Sequence, residues 1–195
     1  MIITLVRHGE VDEAYHRCYN GHNNITLSPK GREEAQALSK VLQHQTYDAI
    51  YSSDLKRCIE TTEHIISIHA PLHPFTPIYT QDLREKSWGR HEGMTFEAIV
   101  HRDGLVYKNF EQWITTLDGE PYNLYISRIK VFFTQTLPQT PYNNVLVVTH
   151  AGVIRVLMHL LQNISLEEAF SINFPYSAYT TLNTETWEFG AIQCA

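Results

Sequence analysis

The sequence predicts an α/β fold: a three-layer α/β/α sandwich with a mixed, mainly parallel sheet and one helical insertion. Three observations predict it. Short apolar, β-rich runs (IITLVR at 2–7, YDAIY at 47–51, VLVV at 145–148) alternate with stretches of helical periodicity. Such alternation builds a sheet covered by helices on both faces. The chain has 195 residues, 43% of them hydrophobic and 18% charged, enough to bury a core without disulfides.

The elements follow in order. Residues 2–7 read as a buried strand, and a loop runs to about residue 27. Ser28-Pro29 has the form of an N-cap with proline at the first helical position, so a helix should run from Pro29 to about Gln43 with Ala35, Leu38, Val41 and Leu42 inward. The second strand, Tyr47–Tyr51, should be followed by a helix over about 54–68 capped by Ser52-Ser53-Asp54. The third strand, Val145–Val148, ends at Thr149-His150, and a helix starts at Gly152. Two β-like stretches, 177–182 and 186–192, read as a hairpin or edge strands. Residues 94–137 are mostly helical by pattern and interrupt the alternation, with a turn at Asp118-Gly119-Glu120-Pro121. They read as an insertion near the active site, a partial lid, within a single domain spanning 1–195.

Composition excludes several classes of function. The net charge is -6 and the basic residues form no dense run, so nucleic acid is not an expected partner. An anion would have to be held by a local cluster against the overall field, which favours a small ligand in a pocket. Cys18, Cys58 and Cys194 are odd in number and widely spaced, which fits reduced thiols in the cytoplasm. Neither a signal-peptide core nor a run of about 20 apolar residues is present, so no membrane association is expected. Asn24-Ile25-Thr26 and Asn163-Ile164-Ser165 match a glycosylation pattern that has no meaning in a cytoplasmic protein. His64, His69 and His73 read as solvated histidines, and no metal site or cofactor is expected.

Chemistry gathers in four segments. Arg7-His8-Gly9-Glu10 stands where the first strand ends, and carboxyl ends of strands are where α/β sheets bind ligands. An arginine beside a histidine there offers a phosphate-binding fork and a nitrogen nucleophile. Thr149-His150-Ala151-Gly152 repeats the layout and opens a helix whose N–H groups favour an anion. Arg57 falls in the first turn of a helix after a strand. Glu85 and Glu92 supply carboxylates to a loop that also carries Gly89 and Gly93. Singly, a histidine at a strand end is more often structural, and a lone arginine is more often solvated. Of the aromatic set Trp88, Tyr107, Phe110, Trp113 and Tyr122, most should pack in the core or lid, though a stacking wall for a flat leaving group is the sharper alternative.

RHGE, SSDLKRCIETT, LREKSWGRHEG and VVTHAG, in this order and spacing, resemble the histidine phosphatase superfamily, also called phosphoglycerate mutase-like. The resemblance covers nearly the whole chain. It implies that His8 becomes transiently phosphorylated, that Arg7, Arg57 and His150 form the phosphate pocket, and that Glu85 is the proton donor. His150 thus counts with His8 and Glu85 among the expected catalytic residues. A phosphomonoester is a dianion, so two arginines and two imidazoles supply the charge its transfer needs without a metal. Arg7 and Arg57 should push His8 toward the neutral form, while Glu85 must carry a proton to give to the leaving oxygen.

The chain departs from the family at Val11 and Ala14, where relatives carry threonine and a phosphate-contacting asparagine. Asn20, His16 and His22 are the candidate substitutes. The short length and LREKSWGRHEGMT resemble the phosphatase branch more than the mutases. Within it, Cys18–His22 and Thr26–Ser28 are similar to α-ribazole phosphatases of cobalamin synthesis. The expected partner is therefore a small phosphorylated metabolite, α-ribazole 5′-phosphate first. A broad-specificity or sugar-phosphate phosphatase stands second, and a non-catalytic phospho-ligand binder third. The oligomeric state stays open, with a homodimer among the options.

Overall fold

The computed structural model describes residues 1–69 and 76–195, with Ile68 and His69 described through their backbone only. His73 and the His69 side chain, two of the three expected solvated histidines, lie outside the described residues; His64 is half-buried. The elements are β1 (Ile2–Arg7), α1 (Pro29–Leu42), β2 (Ala49–Ser53), α2 (Lys56–His69) and β3 (Ile78–Thr80). Then come α3 (Phe96–Asp103), α4 (Phe110–Thr116), α5 (Tyr122–Val131), β4 (Asn144–Thr149), α6 (Ala151–Gln162), α7 (Leu166–Ser171), β5 (Tyr179–Asn183) and β6 (Glu188–Phe189). Among the described residues, six strands form one sheet in the order β3-β2-β4-β1-β5-β6. The pairs β3-β2, β2-β4 and β4-β1 are parallel, and β1-β5 and β5-β6 are antiparallel.

Alternation along the central strands makes the three layers. Ile3, Leu5, Ala49, Tyr51, Val145 and Val147 point into one apolar cluster, shared with α5 and α6. Val6, Ile50, Leu146 and Val148 point into the other, closed by Leu38 and Leu42 of α1 and Cys58 and Ile65 of α2. Near-continuous apolar strands are thereby buried on both faces, as a parallel sheet requires.

Several boundaries moved for identifiable reasons. Ser28 caps α1 as expected, its hydroxyl accepting from the Gly31 N–H at 2.9 Å, but Val41 is 44% exposed and does not join the inner face. Strand β2 starts two residues late because the Asp48 carboxylate accepts from the Asn143 and Asn144 N–H groups, at 2.7 and 2.9 Å, and holds the head of β4 instead. The head of helix α2 is held from two sides: Ser53 Oγ of the expected triplet accepts from the Leu55 N–H at 3.4 Å, and Asn24 Oδ1, from outside it, accepts from the Lys56 N–H at 2.8 Å. Asp54 is engaged by Arg84, with two contacts of 2.6 Å. The short edge strand β3 and helix α7 were not anticipated. The latter opens on a reciprocal Ser165–Glu168 capping box, a sequence signal that was overlooked.

The segment 94–137 carries α3, α4 and α5, with the expected turn at Gly119, φ +88°, ahead of α5. Much of it is core: Trp113, Tyr125, Ile129 and Phe133 are each at most 5% exposed. Among the described residues no helix is long and apolar enough to cross a membrane. All three cysteines are free thiols.

Candidate active site

Strands β2, β4 and β1 are neighbours, and their carboxyl ends deliver Ser53, Thr149 and Arg7 to one edge of the sheet. His8 and His150 each stand one residue past a strand end, and their rings meet edge to face, 5.1 Å between centroids. The backbone fixes this meeting: the His8 N–H donates to the Thr149 carbonyl at 3.0 Å. Gly9 follows because the loop passes against α1, where a Cβ would lie 2.4 Å from the Gly31 carbonyl oxygen.

Arg7, His8, Arg57 and Glu85 all line one open cleft of about 190 Å³. The His8 Nδ1 is 2.8 Å from the Gly9 carbonyl oxygen. A carbonyl only accepts, so Nδ1 carries the proton and Nε2 keeps its lone pair. Burial holds the His8 ring neutral, well below the ordinary histidine value, and the charges of Arg57 and then Arg7 add to the effect.

Arg57 is 1% exposed. Its guanidinium donates to the Asn23, Gly21 and Asn20 carbonyls at 2.9, 2.7 and 3.3 Å, and its Nε–H to His150 Nδ1 at 3.2 Å. Those carbonyls belong to a loop gathered by Glu92, whose carboxylate accepts from the N–H groups of Gly21, His22 and Trp88 at 2.8, 2.7 and 2.9 Å. Glu92 is thus a loop clasp, and its oxygens are committed to amides. Arg7 lies over the Tyr176 ring, 3.8 Å from its centroid, and donates to the Phe174 carbonyl. Its Nε is buried and without a partner among the described residues. Arg7 lines the cleft, where its guanidinium charge favours an anion.

His150 is 1% exposed, its ring against that of His8. Its Nδ1 accepts from Arg57, so Nε2 bears the proton and donates to Ser53 Oγ at 3.0 Å. Burial, then Arg57 and His8, hold it well below the ordinary histidine value. Cys58 packs 3.5 Å from Nε2, and burial pushes its thiol up to about 12, so it stays protonated there.

Glu85 is held at the mouth of α6. Its Oε2 accepts from the Gly152 N–H at 3.0 Å, so the anion site expected at this helix N-terminus is filled by the chain's own carboxyl. Gly152 permits it, since a Cβ there would lie 2.2 Å from Glu85 Oε1. The next residue, Lys86, is buried and donates to the Ser87 and Asp118 carbonyls at 2.9 Å each, tying the Glu85 loop to the turn before α5. Loss of hydration brings the Lys86 ammonium down to about 8.

Of the three candidate substitutes at the Ala14 departure, Asn20 lines the cleft, although its amide donates to the Tyr15 carbonyl at 2.7 Å. His22 Nε2 lies 3.1 Å from the Glu85 carbonyl oxygen and His16 Nε2 lies 3.0 Å from that of Val11. Ala14 itself is exposed. Trp88 and Tyr122 line the cleft, whereas Trp113 packs with Tyr107 and Phe96 beside it, 4.7 and 4.8 Å between ring centroids.

The sequence profile of the histidine phosphatase superfamily (branch 1) matches residues 3–193. The chain belongs to this superfamily. As a histidine phosphatase it is similar to an adenosylcobalamin/alpha-ribazole phosphatase of Escherichia coli, 25% identical over 186 residues, covering 94% of this chain and 90% of the relative. It is also similar to a broad-specificity phosphatase of Saccharomyces cerevisiae, 27% identical over 81% of this chain and 69% of the relative. Among solved structures, a putative alpha-ribazole-5′-P phosphatase of Escherichia coli superimposes with TM-score 0.82 at 22% identity, covering 100% of this chain and 95% of that one. YhfR of Bacillus stearothermophilus gives TM-score 0.82 at 27% identity, covering 97% and 94%. The mixed α/β sandwich is thus the superfamily's fold.

Sequence reasoning missed four residues of this histidine phosphatase cleft: Tyr125, Arg155, Phe170 and Tyr176. Arg155 shared a helix with His150 and could have been found by its place one turn into α6. Tyr125 is a buried residue of α5, and nothing in its local sequence sets it apart from core.

The two neutral imidazoles make a stability prediction. In the unfolded chain each titrates near 6.5, and folding lowers both values. Below about pH 6.5 the unfolded chain therefore binds more protons, so stability is complete above that pH and falls as pH drops. Urea midpoints should decline from pH 7 to pH 5, above the range where carboxylates dominate. The slope should be shallower in His8→Asn; an unchanged slope would mean that His8 is not held neutral.

Proposed function

We propose that this phosphatase hydrolyses phosphomonoesters through a phosphohistidine on His8, without a metal, and that its substrate is α-ribazole 5′-phosphate or a close analogue made during cobalamin nucleotide-loop synthesis. One observation carries the mechanism: the free Nε2 lone pair of a neutral His8, on the wall of an arginine-bearing cleft. The substrate phosphoryl group sits between Arg7 and Arg57, whose charges stabilise its equatorial oxygens. Nε2 attacks phosphorus as Glu85 gives a proton to the departing alcohol. Water deprotonated by Glu85 then attacks the phosphohistidine, releasing phosphate and restoring both groups. His150 keeps Arg57 aimed at the phosphoryl group. The relatives named as alpha-ribazole phosphatases, matching over most of the chain, support the substrate. The aromatic faces of Tyr19, Trp88 and Phe170 in the cleft suit its flat base.

A phosphatase panel including α-ribazole phosphate, sugar phosphates and para-nitrophenyl phosphate, run in chelator, tests this. We expect turnover to persist in chelator and kcat/KM to be highest for α-ribazole phosphate. Activity restored only by a divalent ion would overturn the metal-free mechanism. A flat profile across the panel would favour the broad-specificity reading, to which the yeast relative points. Binding without turnover of any member would leave a phospho-ligand binder.

A further inference from the structure

Tyr125 of α5 is 1% exposed, yet its hydroxyl reaches the reacting end of the site, where it bonds to Glu85 Oε1. The same helix grips Glu85 at its other end: Arg128 donates to the Glu85 carbonyl at 3.0 Å and is itself fixed by Glu120, at 2.7 and 2.9 Å. The Arg128 guanidinium also lies 4.8 Å from the centre of the Tyr125 ring. Burial and the neighbouring Glu85 carboxylate push the Tyr125 phenol well above its ordinary value, so it keeps its proton.

The donors around Glu85 can be assigned to individual oxygens. Oε1 receives the Tyr125 hydroxyl and the Lys86 N–H, the latter at 3.2 Å. Oε2 receives the Gly152 N–H at 3.0 Å. A carboxylate has about four lone-pair positions, two on each oxygen. Among the described residues three are covered, and the position left open is on Oε2.

We propose that Tyr125 is a positioning residue that fixes the Glu85 carboxyl so that Oε2 carries the proton exchanged with substrate and water. The inference rests on the assignment of Glu85 as general acid. In the first half-reaction the Oε2–H bond breaks and its proton goes to the leaving alkoxide, as the phosphorus–oxygen bond breaks and the His8 Nε2–phosphorus bond forms. In the second, Oε2 takes a proton from the water that attacks phosphorus, and the bond to His8 breaks. Throughout, the Tyr125 hydroxyl stops the carboxyl from rotating to present Oε1. At this helical position an apolar side chain would fill the space equally well; only the hydroxyl performs the fixing.

The test is Tyr125→Phe, which keeps the ring, assayed in single turnover with a simple alkyl phosphate and with para-nitrophenyl phosphate. Phosphorylation by the alkyl ester should slow about tenfold, with KM little changed, because misorienting the acid matters where the leaving group needs its proton. The loss with the nitrophenyl ester should be several times smaller. Added to Glu85→Gln, the Tyr125→Phe change should cost nothing further with the alkyl ester, since coupled residues are non-additive. Equal losses with both esters, or full additivity, would overturn the proposal. If Tyr125→Phe does not fold, a fluorinated tyrosine at 125 serves instead: its more acidic hydroxyl should hold ionised Glu85 more tightly and slow the alkyl ester selectively, and an unselective effect would overturn the proposal. If Glu85→Gln itself treats the two esters alike, the acid assignment fails. If Glu85→Gln discriminates and the position-125 variant does not, only the role of Tyr125 fails.

Discussion

His8→Ala protein should fold and be inert, with turnover lower by about 10⁵-fold or more, the scale of losing a covalent nucleophile. The ring is wedged between His150 and Tyr176, at 5.1 and 5.7 Å between centroids, so its removal empties a small space without disturbing the sheet. The polar cost of the change is low as well. His8 is already neutral, and its Nδ1 bonds to the adjacent Gly9 carbonyl. The cooperative urea transition should therefore persist while the chemistry disappears. Wild-type protein mixed briefly with a labelled phosphomonoester and quenched in alkali should carry acid-labile phosphate on His8; the variant should carry none. Near-normal turnover in His8→Ala would place the nucleophile elsewhere.

Glu85→Gln should show the second-largest loss, and its size should depend on the leaving group. General acid catalysis contributes ~10²–10⁴-fold, and an alkyl phosphate should lose about that much, since its alkoxide cannot depart unprotonated. A nitrophenolate leaves without help, so phosphorylation by the nitrophenyl ester should slow far less. Phosphohistidine should then accumulate, because its hydrolysis still wants a base. Glutamine keeps one oxygen to accept from the Gly152 N–H, and its amide nitrogen can donate to the Tyr125 hydroxyl oxygen, so the loop should keep its course. Equal losses in the phosphorylation step would remove the acid role from Glu85. Glu92, the other nearby carboxylate, is a poor heir because its oxygens are occupied by the amides of Gly21, His22 and Trp88.

The parts legible in the sequence were those that local physics dictates. Apolar β-rich runs such as VLVV and the Ser28-Pro29 cap bring their own instructions, and β1, α1 and β4 follow them. The segments carrying Arg7, Arg57 and His150 could be placed at strand and helix ends and that of Glu85 in a loop; the fold brings the first three to the ends of adjacent strands β1, β2 and β4 and lays Glu85 against the start of α6. What could not be read were relations across the fold. Strand β3 has three residues and is defined by its pairing with Tyr51, Ser52 and Ser53 more than by its own composition. Asn24 caps a helix 32 positions further along the chain, and no local pattern announces that. That His150 faces Arg57 and Ser53 depends on distances, as does the bond between Tyr125 and Glu85.

The strand order has a consequence for how the protein is made. Strand β1 lies between β4 and β5, so among the described residues its ladder partners are 144–149 and 179–183, far downstream in the chain. Until the ribosome has delivered those later strands, both edges of IITLVR stay open. Such long-range closure is slow, and an unpaired apolar strand is a template for aggregation. Every nascent chain therefore carries an unpaired apolar strand until its partners arrive, and His8, which follows that strand, waits as long for its cleft.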